Sequence, residues 1–122
     1  MRLLLDTHAL LWWDAGNLPA AAVRIVKDAD EVLVSAATVW EIGLKAALGK
    51  IRATASVTEV VRAYGFRELA IAFSHAEYVR SLPPIHRDPF DRMLVAQAIV
   101  ERLTILTQDR AFPKYGVSVA WR

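Results

Sequence analysis

The sequence contains no cysteine, which excludes disulfides and zinc sites built on thiolates. Its three histidines, His8, His75 and His86, are scattered along the chain. A histidine-built metal site therefore has little support, and any metal is expected to rest on oxygen ligands. Long apolar runs are missing as well. The runs LLL at 3–5 and ALLWW at 9–13 are separated by Asp6 and His8, far short of the roughly 20 residues a membrane helix needs. No spanning segment is expected, and no leader with a small-residue cleavage site, so Met1 reads as the native start of a cytoplasmic protein with no membrane association. Neither sign of charge dominates. Fifteen Lys and Arg against 13 Asp and Glu leave +2, which permits a polyanionic partner without demanding one.

Apolar residues are what the chain has in quantity: 55% hydrophobic against 23% charged over 122 residues. This length lies near the commonest domain size, so one core and one domain spanning 1–122 are expected. The composition is too apolar for disorder and somewhat rich for a soluble domain. Part of the excess is expected to cover a partner or a twin subunit.

The apolar residues fall into a strand-then-helix rhythm. RLLL at 2–5 stops at Asp6, EVLVSA at 31–36 loses its strand character at Ser35, and each is followed by a helical pattern. LPAAAVRIVKDA (18–29) predicts a helix with Pro19 at its first position. Ser35 is placed to cap a helix through ATVWEIGLKAAL that Gly49 stops. A shorter helix is predicted from Val57 to Tyr64, ended by Gly65, and a third strand in FRELAI (66–71). Ser74 and Glu77 have capping-box spacing for a helix that Pro83 and Pro84 terminate. Asp88 and Pro89 suit the N-cap and first position of a long apolar helix, which puts Asp91 third. LTILT (103–107) and VSVAW (117–121) are the remaining strands. The alternation implies a three-layer α/β/α domain with a mainly parallel sheet of about five strands.

Open sheets of this kind bind ligands beyond the carboxyl ends of their strands. Asp6 follows the first strand, Asp109 comes just after LTILT, and Glu41 and Asp91 lie early in helices whose amino ends can face the same edge. Each has an ordinary explanation. Asp6 suits the cap of a short helix at THALLW. Glu41 with Lys45 is an i,i+4 pair worth about 0.3 kcal/mol, although Val39, Trp40, Ile42 and Leu44 enclose it in sequence. Asp109 with Arg110 suits a turn, and Asp91 suits the helix dipole, though it shares a face with Leu94, Val95 and Ala98. Gathered together, four carboxylates repel unless a cation sits among them. An all-oxygen cluster suits Mg²⁺ or Mn²⁺. The chemistry that follows is phosphodiester hydrolysis by activated water, with no covalent nucleophile.

The segments MRLLLDTHALLWW, VSAATVWEIGLKAALGKI, HRDPFDRMLVAQA and LTILTQDRAF, in that order, resemble the signature segments of PIN-domain ribonucleases, and in particular the VapC-like toxins of bacterial and archaeal toxin-antitoxin pairs. The resemblance runs from Arg2 to about Trp121. It implies that Asp6, Glu41, Asp91 and Asp109 hold Mg²⁺ or Mn²⁺ and serve catalysis on RNA. It also implies sheet order 3-2-1-4-5, a homodimer, and a cognate VapB-like antitoxin that blocks the acidic pocket. Asp88 lies one turn ahead of the matched acid and falls to capping or outer support.

Thr7, Ser35 and Thr107 sit at strand ends, where a hydroxyl can bridge to metal-bound water or substrate, or simply cap and turn the chain. Arg87, Arg92, Arg110 and Lys114, with Lys45 one turn beyond Glu41, are candidate RNA contacts, or else surface charges and ion-pair partners. Trp12, Trp13 and Trp40 can stack a base or line a core or dimer interface. Two other classes compete. A phosphoacceptor signalling domain would want an acid pair after the first strand and an acceptor Asp after the third, but Asp6 stands alone and the third strand runs into AIAFSH. A non-catalytic PIN-like domain that binds RNA or protein has no need of all four acids.

Overall fold

The computed structural model describes residues 1–52 and 56–121. Five strands, β1 (Arg2–Leu5), β2 (Glu31–Ser35), β3 (Arg67–Leu69), β4 (Thr104–Leu106) and β5 (Val119–Ala120), form one sheet in the order β3-β2-β1-β4-β5. Every neighbouring pair is parallel. This is the order the resemblance implied. The chain winds outward from β1 to one side through β2 and β3, then returns to its other side with β4 and β5. The crevice opened by that reversal lies beyond the carboxyl ends of β1 and β4.

Alternation along the strands sorts the apolar side chains onto two faces. Leu4, Leu33 and Ile105 pack with Leu94, Val95 and Ala98 of α6 (Pro89–Glu101). Leu3, Leu5, Val34 and Leu106 face the opposite layer, where α1 (Thr7–Ala15), α2 (Ala20–Asp28) and α4 (Val57–Ala63) supply Leu10, Val26 and Val61. The helix α3 (Ala36–Ala47) serves both, with Ala37 in the first cluster and Ile42 in the second. Each fully buried leucine contributes about 2 kcal/mol. The sheet is thus pinned from both sides, and the loops at its carboxyl edge inherit that rigidity.

Several local expectations shift. Pro19 is the N-cap of α2 rather than its first helical residue, and only Arg67–Leu69 of FRELAI pairs as a strand. The helix α5 (Phe73–Tyr78) starts ahead of Ser74, so the Ser74–Glu77 capping box does not form. His75 Nδ1 instead accepts the Ala72 N–H at 3.0 Å. A turn of 3-10 helix, Val79–Ser81, then precedes the two prolines. Gly49 and Gly65, with φ of +72°, provide the left-handed stops expected of them. Among the described residues no helix is long and apolar enough to cross a membrane.

Candidate active site

The chain leaves β1 at Leu5 and turns at once into α1, with Asp6 as the N-cap. Asp6 Oδ1 accepts the Ala9 N–H at 2.7 Å, and the Thr107 hydroxyl at the end of β4 bonds to the same carboxylate. The capping explanation and the site explanation therefore hold together. Asp6 is 7% exposed. Burial holds its carboxyl above the ordinary value, with the bonds from Thr107 and Ala9 opposing and nearby Asp109 adding to the rise.

Ser35 caps α3 by accepting the Ala37 N–H at 3.0 Å, which fixes where Glu41 emerges. Glu41 is 3% exposed, so its pair with Lys45 is not a solvated helix face. Its Oε1 accepts the Thr7 hydroxyl at 2.6 Å and its Oε2 accepts Lys45 Nζ at 2.6 Å. The bond to Glu41 raises the pKa of Lys45, and Asp88 and Asp91 contribute to the same effect. Lys45 is thus the cation already among the acids.

Asp88 opens α6. Its Oδ1 accepts the N–H groups of Phe90 at 2.8 Å and Asp91 at 3.4 Å, with Pro89 at the first helical position. Asp91 follows with its carboxyl pushed up to about 7, first by burial and then by Asp88; His86 opposes, and Glu41 and Asp109 add to the rise. Asp109 lies in the turn after β4, where its N–H donates to Thr107 Oγ1 at 3.0 Å and its Oδ1 accepts the Ala111 N–H at 2.9 Å. Its Oδ2 meets His86 Nε2 at 3.0 Å. The same imidazole nitrogen is 3.9 Å from Asp91 Oδ2.

His86 is the residue that sequence reasoning missed. The histidines were weighed against one another, and by that measure they are scattered; the useful spacing was from His86 to Asp88 and Asp91. His86, Asp91 and Asp109 each offer a ligand atom within 4.8 Å of the others. A nitrogen donor thus stands beside two of the acids from which oxygen ligands were expected.

Other candidates divide. Thr7 and Thr107 join the acids. Ser35 follows its other alternative: it caps α3, and its fully buried hydroxyl donates to Gln97 Oε1 in the core. Arg92 has carbonyl partners: its guanidinium donates to those of Pro83 at 2.9 Å, Val79 at 3.1 Å and Leu82 at 3.3 Å, and reaches that of His86 at 3.5 Å, so it organises the 79–86 segment. Arg87, Arg110 and Lys114 are exposed, the first two close in sequence to Asp88 and Asp109. Trp13 packs against Tyr64 and Phe66, whereas Trp40 is 61% exposed with its edge on Phe90.

Asp6 lies near enough to Asp109, and Asp91 near enough to Glu41 and Asp109, for one acid to raise another, and burial raises both Asp6 and Asp91 first. Among the described residues Asp91 and Asp109, with His86, bring ligand atoms within 4.8 Å of one another. Such a set is under-compensated by Lys45 and His86, and a hard divalent cation fits its donors.

The profile of the PIN domain family matches residues 3–117. Ribonuclease VapC22 of Mycobacterium tuberculosis is 32% identical over 112 residues, which cover 88% of this chain and 86% of that protein. Among solved structures, VapBC2 from Rickettsia felis, bound to a DNA fragment from its promoter, superposes with a TM-score of 0.71 at 14% identity, covering 98% of each chain. FitAcB from Neisseria gonorrhoeae gives 0.65 at 24% identity, covering 96% of this chain and 95% of that one. Sheet order, matched length and the acidic crevice agree: the chain belongs to the PIN-domain family.

Proposed function

We propose that this protein is an endoribonuclease dependent on Mg²⁺ or Mn²⁺, and that it acts as the toxin of a toxin-antitoxin pair. What supports this reading is the crowding of Asp91 against Glu41 and Asp109 and of Asp6 against Asp109, with the Asp91 carboxyl pushed up to about 7. The identity to ribonuclease VapC22 supports RNA as the substrate.

Asp6, Asp91 and Asp109, with Glu41 beside them, would hold the cation. When bound, it neutralises the scissile phosphate and lowers the pKa of water in the crevice. Glu41, oriented by Thr7 and Lys45, is suited to align the attacking water or to accept its proton. Lys45 offsets charge next to the phosphate, and exposed Arg87, Arg110 and Lys114 are candidates for flanking phosphates. Water, not the 2′-hydroxyl, attacks, so the products carry 3′-hydroxyl and 5′-phosphate ends.

An antitoxin protein and a second copy of the chain are the proposed partners. Val39, Trp40, Leu44 and Leu48, which α3 leaves exposed, support a protein partner on that side.

The test is cleavage of RNA by purified protein with added Mg²⁺ or Mn²⁺, with both ends of the product identified. Full activity in excess EDTA, or 2′,3′-cyclic phosphate ends, would sink the mechanism. Expression of the chain should arrest growth and Asp6→Asn should not; arrest undiminished by that change would count against catalysis as its cause.

A further inference from the structure

We propose that His86 is a nitrogen ligand of the metal centre, and that it tilts the site toward Mn²⁺ over Mg²⁺. The proposal rests on the metal-dependent reading above and deepens it.

The imidazole is held as a ligand would be. Its main-chain N–H donates to the Tyr115 hydroxyl at 2.6 Å, and its carbonyl lies within reach of Arg92. The ring packs on Phe112, with centroids 5.5 Å apart, and lies within 12° of parallel to the Tyr115 ring. A ring fixed in this way loses little rotamer entropy when it binds an ion. Nε2 is then aimed at the acids, 3.0 Å from Asp109 Oδ2 and 3.9 Å from Asp91 Oδ2. An octahedral ion with ligands at about 2.1 Å separates adjacent ligand atoms by roughly 3.0 Å and opposite ones by roughly 4.2 Å. The 3.0 Å separation matches adjacent positions and the 3.9 Å separation comes closest to opposite ones, so an ion can enter between the three side chains with a small shift of Asp91.

The donor type decides the preference. Mg²⁺ strongly favours oxygen, whereas imidazole is a good ligand for transition metals. Binding needs the Nε2 lone pair, so the metal-bound ring carries its proton on Nδ1. The competing role is a counter-ion: a protonated His86 that merely balances Asp109 and Asp91 and is displaced when the cation arrives. The two roles differ in whether nitrogen touches the metal.

Pulsed EPR of Mn²⁺ bound to the intact protein reads this directly through nitrogen-14 coupling. The expected result is one imidazole nitrogen in the wild type and none in His86→Gln, with Mn²⁺ affinity falling about tenfold or more and Mg²⁺ affinity changing much less. Tight Mn²⁺ binding without nitrogen coupling in the wild type, or coupling that survives in His86→Gln, overturns the proposal alone. Failure of the wild type to bind Mn²⁺, or equal binding by Asp6→Asn, overturns the metal-dependent reading and this proposal with it.

Discussion

Thr7 donates its hydroxyl to Glu41 Oε1 at 2.6 Å, and both side chains are buried. Because Asp6 caps α1, the turn that sets one acid also aims the donor that orients another. Thr7→Val keeps the shape and removes the donor, leaving a buried carboxylate oxygen short of a bond. The expected cost is about 1–3 kcal/mol in urea denaturation, together with weaker cleavage. Thr7→Ser should restore both; a Val variant as stable and active as wild type would show that Glu41 does not depend on this bond.

The pH dependence of stability follows from Asp91. Its carboxyl moves from 3.8 to about 7 on folding, so between these values the native state binds more protons than the unfolded chain. Stability then falls as pH rises through this window, and the penalty is complete above about 7. Asp6 is raised as well and acts with the same sign. For metal-free protein the Asp91 contribution is on the order of 4 kcal/mol before its partial exposure is discounted. Denaturation in EDTA across this range should therefore show Asp91→Asn flatter than wild type and more stable at neutral pH, though inactive. Identical slopes would mean that the acids are not crowded. A divalent cation at 100 times its Kd should return about 2.7 kcal/mol to the wild type and far less to the variant.

How far the sequence revealed this arrangement depends on distance along the chain. Strand-helix alternation needs only local periodicity, so β1, β2, α3 and α6 were legible, as was the Asp88 cap, whose partners Phe90 and Asp91 lie within one turn. The order of the sheet came from resemblance, because nothing in the spacing of RLLL and LTILT says that they lie side by side. The four acids were picked out by their positions after strands and at helix starts. The cap that Ser35 provides was legible, but its bond to Gln97 and the carbonyl contacts of Arg92 were not, because those partners become neighbours only on folding. His86 stands a few residues before Asp91, but its 3.0 Å partner Asp109 is 23 residues away and becomes a neighbour only on folding, so the local spacing alone did not mark it.

Arg92 and Arg110 should separate in a salt titration of RNA binding. Arg110 is exposed beside Asp109, whereas Arg92 spends its guanidinium on carbonyls. Arg110→Ala should lower the slope of log K against log salt by roughly 0.7 while leaving stability unchanged. Arg92→Ala should cost about 1 kcal/mol of stability by removing donors from partly buried carbonyls, with the salt slope kept in whatever fraction remains folded. The reverse pattern would return Arg92 to the RNA surface.

Gln97 provides the last test, because its fully buried amide joins three elements. Its Oε1 accepts the Ser35 hydroxyl at the cap of α3, and its Nε2 donates to the Ala70 carbonyl just beyond β3 at 3.3 Å. α6 carries Asp91 and α3 carries Glu41, so this amide helps set the separation of two acids that it does not touch. Gln97→Leu leaves a donor and an acceptor unpaired in the core and should cost about 2–3 kcal/mol. Ser35→Ala removes one of those stranded groups along with the α3 cap and should cost about 1–2 kcal/mol. If the bond is real, the double variant costs less than the two single changes together, with a coupling near 1 kcal/mol. Strict additivity would mean that the two side chains do not communicate, and that packing alone holds α3 against α6.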